Sequence, residues 1–157
     1  MANVDIHPDM QDLAFLLGRW AGTGQGIYPT IATFQYGEEI ALTSLGRPFF
    51  HYTQRTWSPG DQSPLHAETG YWRRAGTHGV EVTLAHPTGI AELQQGILEG
   101  NRVSLASSSV ARSGTAKRVD TVHRVFWLED GVLHYTLSMA AVGQPLQQHL
   151  SAQLRRV

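Results

Sequence analysis

Eight histidines, His7, His51, His66, His78, His86, His123, His134 and His149, make up the main reactive inventory of a 157-residue chain that contains no cysteine. Without cysteine there is no disulfide, no zinc–thiolate site, no thiolate nucleophile and no covalent Cys-x-x-Cys-His haem attachment. The histidines do not fall at spacings that preform a zinc site, since His-Glu-x-x-His, His-x-His and pairs at i,i+4 are all absent. A Ser-His-acid hydrolase lacks the Gly-x-Ser-x-Gly elbow that would expose a nucleophile. One chemistry needs only a single histidine. A neutral imidazole holds a haem iron when an apolar cavity grips the porphyrin and leaves the other axial position to a gas or an oxyanion. His149, within Pro145-Leu146-Gln147-Gln148-His149-Leu150-Ser151-Ala152, has the right residue type, but spacing alone does not separate it from a surface or hydrogen-bonded core histidine.

The elements that must position such a group read as strands. In Leu16 to Thr30, Trp20, Gly22, Gly24 and Gly26 fall on alternate residues, so they share one face of a strand and three of the four carry no side chain. Something lies close against that face: a crossing strand where a barrel closes, the rim of a flat ligand, or both. The run is Gly-x-Gly-x-Gly leading into Tyr28-Pro29 and a second strand, which is not the Gly-x-Gly-x-x-Gly of a dinucleotide site. Before it, Met10, Leu13, Leu16 and Leu17 form one helical stripe with Asp9 as an N-cap, a short helix suited to plug a barrel end beside Trp20.

Beyond Gly18, turn chemistry recurs at Tyr28-Pro29, Leu45 to Pro48, Ser58 to Pro64, Ala75-Gly76, Pro87 to Gly89, Glu99 to Asn101, Ser113-Gly114, Asp130-Gly131 and Val142 to Pro145. Nine breaks predict about ten strands. Alternation is plain where Val80, Val82 and Leu84 oppose Glu81 and Thr83, and where Leu133, Tyr135, Leu137 and Met139 oppose His134, Thr136 and Ser138. The fold class is all-β: an antiparallel up-and-down ten-stranded barrel with a short N-terminal helix, large enough for an internal ligand site, with a β-sandwich as the competing architecture.

The length predicts a single domain over residues 1–157. Charged residues make up 16% of the chain against about 25% in typical soluble domains, and the formal net charge is −1. With Arg73-Arg74, Lys117-Arg118 and Arg155-Arg156 as the only basic doublets, nucleic acid and anionic membrane are not expected as partners. Met1 to Asp12 lacks the pattern of an export leader and no window approaches 18 apolar residues, so the expected location is the cytoplasm.

Gly18-Arg19-Trp20-Ala21-Gly22-Thr23-Gly24 resembles the Gly-x-Trp-x-Gly-x-Gly signature of the nitrobindins, small β-barrel haem proteins related in architecture to fatty-acid-binding proteins. Tyr28 to Ile31, Tyr52 to Trp57, Pro64 to Tyr71, His86 to Gly89 and Pro145 to Leu150 resemble further nitrobindin segments in nitrobindin order, so the likeness spans about Leu16 to Arg155. The resemblance implies a non-covalent haem b with His149 as proximal ligand. It places Thr30 at the haem, Leu65 and His66 near the open side of the iron, Met139 on the strand before His149, and Lys117 at a propionate. Leu65 departs from relatives that carry methionine there. The resemblance further implies isomerisation of peroxynitrite to nitrate at ferric iron, binding of nitric oxide, and a polar distal role for His66; a homodimer is the assembly considered.

The last segment sets pattern against resemblance. Strict alternation groups His149 with Gln147, Ser151 and Gln153, opposite Leu146, Leu150 and Leu154. Either the leucines pack outward under the N-terminal helix, or a bulge re-aims the histidine. Two other classes use the same barrel. A carrier of a fatty acid or other apolar ligand would want interior arginines and a tyrosine for the carboxylate, with Arg55, Arg124 and Tyr52 as candidates; an interaction module would have a filled interior.

Overall fold

Each of the nine turn signals separates two strands of one closed sheet. The strands are β1 (Gly18–Tyr28), β2 (Ile31–Ser44), β3 (Phe50–Trp57), β4 (Pro64–Ala75), β5 (Gly79–His86), β6 (Ile90–Glu99), β7 (Arg102–Arg112), β8 (Val119–Glu129), β9 (Val132–Ala141) and β10 (Gln147–Arg156). Every strand pairs antiparallel with its neighbours in sequence, and β1 pairs with β10 from Trp20↔Arg156 to Gly26↔Leu150. This closure leaves no sheet edge and excludes the sandwich. The structure is a computed structural model and describes residues 5–157; residues 1–4, the start of the stretch read for a leader, lie outside the described residues.

An up-and-down path sends alternate turns to opposite ends. The β1–β2, β3–β4, β5–β6, β7–β8 and β9–β10 turns therefore surround one mouth, and the other four turns share the opposite end with the N-terminal helix. That helix, Pro8–Leu16, is a 3-10 helix. Its three-residue turn puts Met10, Leu13 and Leu16 on one edge, all of them fully buried, while Leu17 ends the helix in an extended conformation. The expected Asp9 cap is corrected: His7 is the N-cap, its Nδ1 accepting from the Asp9 N–H at 3.2 Å, because Pro8 begins the helix without needing a donor partner.

Trp20 packs beneath the helix as expected, 1% exposed, with Nε1–H donating to the Leu16 carbonyl at 2.9 Å and the Arg156 guanidinium 4.3 Å from the ring centroid. Around it Ile40, Phe50, Trp72, Val80, Val103, Leu133 and Leu154 form a dry core. The glycine face of β1 meets the closing strand β10, one of the neighbours left open by the sequence, and also two rings of its hairpin partner β2. A Cβ at Gly22 would strike the β10 backbone, whereas at Gly24 and Gly26 it would strike the Tyr36 and Phe34 rings of β2. Those two rings lie flat over the missing side chains and also line the interior.

Candidate functional site

Above the dry core the barrel keeps an internal cavity of about 470 Å³. Leu65, His66, Met139 and His149, all named from sequence, line it. Thr30 and Lys117 do not: both are exposed, Thr30 in the β1–β2 turn and Lys117 in the β7–β8 loop, two segments of the mouth. Leu65 is 50% exposed at the rim.

His149 reaches the cavity through a β-bulge. Gln148 pairs with Ser138 but Leu150 pairs with Leu137, so β10 carries one residue more than β9 at this point. The extra residue shifts the alternation, and His149 and Leu150 both line the cavity. The alternative in which the leucines pack outward is overturned, since Leu154 is fully buried in the core and Leu150 packs against it. On the neighbouring strand the Ile27 carbonyl lies 2.9 Å from His149 Nδ1. A carbonyl only accepts, so Nδ1 carries the hydrogen and Nε2 keeps the lone pair. Tyr28 and Phe34 pack edge-on to the ring, with centroids at 5.3 and 6.4 Å. Burial pushes the imidazole's proton affinity below its ordinary value, opposed by the Ile27 bond.

Between mouth and core runs a belt of buried polar groups. Arg124 forks onto Glu68, Nη1 to Oε1 at 2.8 Å and Nη2 to Oε2 at 3.2 Å, and reaches Glu92 at 3.0 Å. Tyr52 donates to Glu68 at 2.8 Å. Across the barrel Glu38 accepts from Gln54 at 2.6 Å and from Tyr135 at 2.8 Å. The carboxylates diverge for that reason. Glu92, despite burial, is held down at about 2 by Arg124 and by the His86 imidazole beside it, whereas Glu38, whose Gln54 and Tyr135 bonds only partly offset burial, rises to about 7. Glu68 is likewise held low by Arg124 against the effect of burial.

The belt engages two of the three residues named for a fatty-acid carboxylate. Arg124 and Tyr52 are already committed to Glu68 and Glu92, and Arg55 is exposed on the outer surface against Glu39. His66 sits beside the belt, its Nε2 3.0 Å from His86 Nδ1. Burial lowers its proton affinity, partly countered by the charge of Glu68. Glu38, Glu68, Glu92 and His86 were not singled out from sequence as site residues. A signal existed: Glu38 is in phase with Tyr36 and Ile40, Glu68 with Trp72, and Arg124 with Val122 and Phe126, all inward positions.

Residues 9–156 match the model of the THAP4-like, heme-binding beta-barrel domain. The chain belongs to this family. Among its members, "Peroxynitrite isomerase" of Nocardia farcinica is 49% identical over 158 residues, covering 98% of this chain and 94% of the relative. "Peroxynitrite isomerase 2" of Mycobacterium marinum is 45% identical over 156 residues, covering 97% of each. The crystal structure of Rv2717c from M. tuberculosis superposes with a TM-score of 0.91 at 44% identity, covering 98% of this chain and 99% of that one. The nitrobindin resemblance is thus shown along nearly the whole barrel.

Proposed function

We propose that this barrel binds haem b non-covalently through His149, isomerises peroxynitrite to nitrate there, and binds nitric oxide at the same position. The observation that carries the reading is the bulged His149, whose Nδ1–H is fixed by the Ile27 carbonyl so that Nε2 is the free lone pair at a cavity wall. The residues present fit the group. A single neutral imidazole is the donor, no thiolate competes with it, and Phe34, Val119, Leu137, Met139 and Leu150 supply apolar walls for a macrocycle. The names of relatives covering almost all of this chain support the substrate.

When bound, ferric haem would supply a Lewis-acidic iron able to take a small oxyanion or nitric oxide. Conversion of peroxynitrite to nitrate takes up and releases no net proton or electron. The chain therefore has to bind, orient and shield rather than shuttle protons. His149 would hold the iron as a neutral ligand in one tautomer, and the Ile27 carbonyl keeps the ring from turning. The apolar walls exclude water. His66 stands on the opposite side of the cavity, where a ring N–H can steady an anion. Thr30 and Lys117 at the mouth are assigned to the haem edge, Lys117 as a cation for a propionate. In this reading the protein acts in the cytoplasm.

Hemin titration and stopped-flow decay of peroxynitrite test the proposal together. The haem-loaded chain is expected to show a Soret band, one haem per chain, and faster formation of nitrate than buffer. Haem binding without any acceleration overturns the isomerase reading, and acceleration by the haem-free chain overturns the role of iron.

A further inference from the structure

The wall facing His149 carries a second set of metal donors. Around the ten-stranded barrel, β5 is five strands from β10 in either direction and β4 is its neighbour, so His66 and Glu68 on β4 and His86 on β5 stand opposite the bulge. Their donor atoms form one triangle: His66 Nε2 to His86 Nδ1 is 3.0 Å, Glu68 Oε2 to His86 Nδ1 is 3.5 Å, and Glu68 Oε2 to His66 Nε2 is 3.9 Å. Ligands about 2.1 Å from a tetrahedral ion stand about 3.4 Å apart, so the triangle brackets one face of such a site. From these residues we propose that His66, Glu68 and His86 form a binding site for a divalent d-block ion of the Zn2+ type, separate from the haem ligand His149.

The surroundings orient two of these donors. Tyr52 and Arg124 Nη1 both bond Glu68 Oε1 at 2.8 Å, and Oε2, which accepts from Arg124 Nη2 at 3.2 Å, keeps a second lone pair on the side of the imidazoles. His86 Nε2 lies 3.4 Å from Glu92 Oε1, the carboxylate–histidine arrangement that directs the other ring nitrogen to a metal. His86 Nε2 is buried without a hydrogen bond of good geometry, with Glu92 Oε1 the carboxylate oxygen beside it. Charge favours a cation as well: two buried carboxylates, Glu68 and Glu92, flank the imidazoles against one guanidinium, Arg124. Two nitrogens and one oxygen suit Zn2+, Co2+ or Fe2+ better than Mg2+ or Ca2+. The fourth position faces the cavity, open to water or a small ligand.

Calorimetric titration of the full-length, haem-free chain with ZnCl2 tests the site. Zn2+ is expected to bind at one per chain, and Co2+ to give the visible d–d bands of a tetrahedral complex. Glu92→Gln, which removes the group behind His86, is expected to weaken Zn2+ by about 10–100-fold, and His66→Ala or His86→Ala by at least that much. His149→Ala is expected to lose haem while holding Zn2+ affinity within about twofold. The haem reading and the metal site therefore fail independently. His66 is half-buried, so His66→Ala carries the test should His86→Ala not fold by circular dichroism. Absence of Zn2+ binding to the wild-type chain overturns the proposal, as does unchanged affinity in folded His66→Ala, or loss of Zn2+ in His149→Ala.

Discussion

The helix end and the mouth of this barrel are built from the same ten strands but on different rules. At the helix end the pairing is regular, and alternate residues such as Trp20, Phe50, Trp72, Leu133 and Leu154 are at most 1% exposed. All five register shifts in the sheet fall in the half nearer the mouth: at Gly26/Tyr28, Thr56/Trp57, Leu93/Gln94, Val119/Thr121 and Gln148/Leu150. Strict alternation closes one end with a packed core. Bulges at the other end re-aim side chains, and one of them turns His149 inward. Stability and ligand chemistry are thereby separated along the barrel axis.

The sharpest way to break this division is to cut at the dry end. Trp20→Ala is expected to cost about 3–5 kcal/mol of unfolding free energy, since a large buried ring leaves a cavity. The hemin spectrum of the remaining folded protein should match wild type. A changed Soret band at unchanged stability would place the ligand chemistry at the wrong end.

The belt marks the boundary between the two halves, and Glu38→Gln reads it. The native pKa of Glu38, about 7, lies above its ordinary 4.5, so its contribution is fully present below pH 4.5 and is lost as pH rises toward 7. The loss amounts to something on the order of 3 kcal/mol. Glu92, held at about 2, acts in the other window, below pH 4.5, and its contribution falls as the solution is acidified. Urea melts across the range above pH 4.5 should therefore decline for the wild type and flatten for Glu38→Gln, with the acid limb retained. An identical slope in both would mean that Glu38 is ionised throughout.

At the mouth, His149→Ala is expected to weaken hemin by at least about a hundredfold, given that loss of a group merely supporting a ligand costs 10–100-fold. Its urea midpoint should stay near wild type. The smallest effect belongs to His66→Ala, which should leave peroxynitrite conversion within about one or two orders of magnitude and stability within about 0.5 kcal/mol. A complete loss of activity with haem still bound would move His66 from a tuning group to an essential one.

The same contrast explains what was legible in the sequence. Turn residues and alternation foretold the ten strands and the buried Trp20, because those features are local and periodic, whereas the Gly22–Gly26 face was legible only as a close approach and its closing strand was one of the readings left open. His149 resisted the pattern because a bulge breaks the period, and only the ordered likeness to a known family marked it. The belt was hidden differently. Glu68 and Arg124 are 56 residues apart and Tyr135 and Glu38 are 97 apart, so their pairing depends on the curvature of a closed sheet that no local window contains. The helix shows a smaller lesson: Met10, Leu13 and Leu16 repeat every three residues, a period that belongs to the 3-10 turn.

The bond from His149 to Ile27 spans 122 residues and joins the first strand to the last. Every other pairing in the sheet is a hairpin between strands adjacent in sequence, cheap in loop entropy and quick to form, whereas β1–β10 pairing requires the whole chain to curl round. The imidazole acquires its fixed tautomer only when that seam is sewn. Haem capture during refolding should therefore lag behind strand formation and report the last contact made, so that a cofactor spectrum becomes a clock for ring closure.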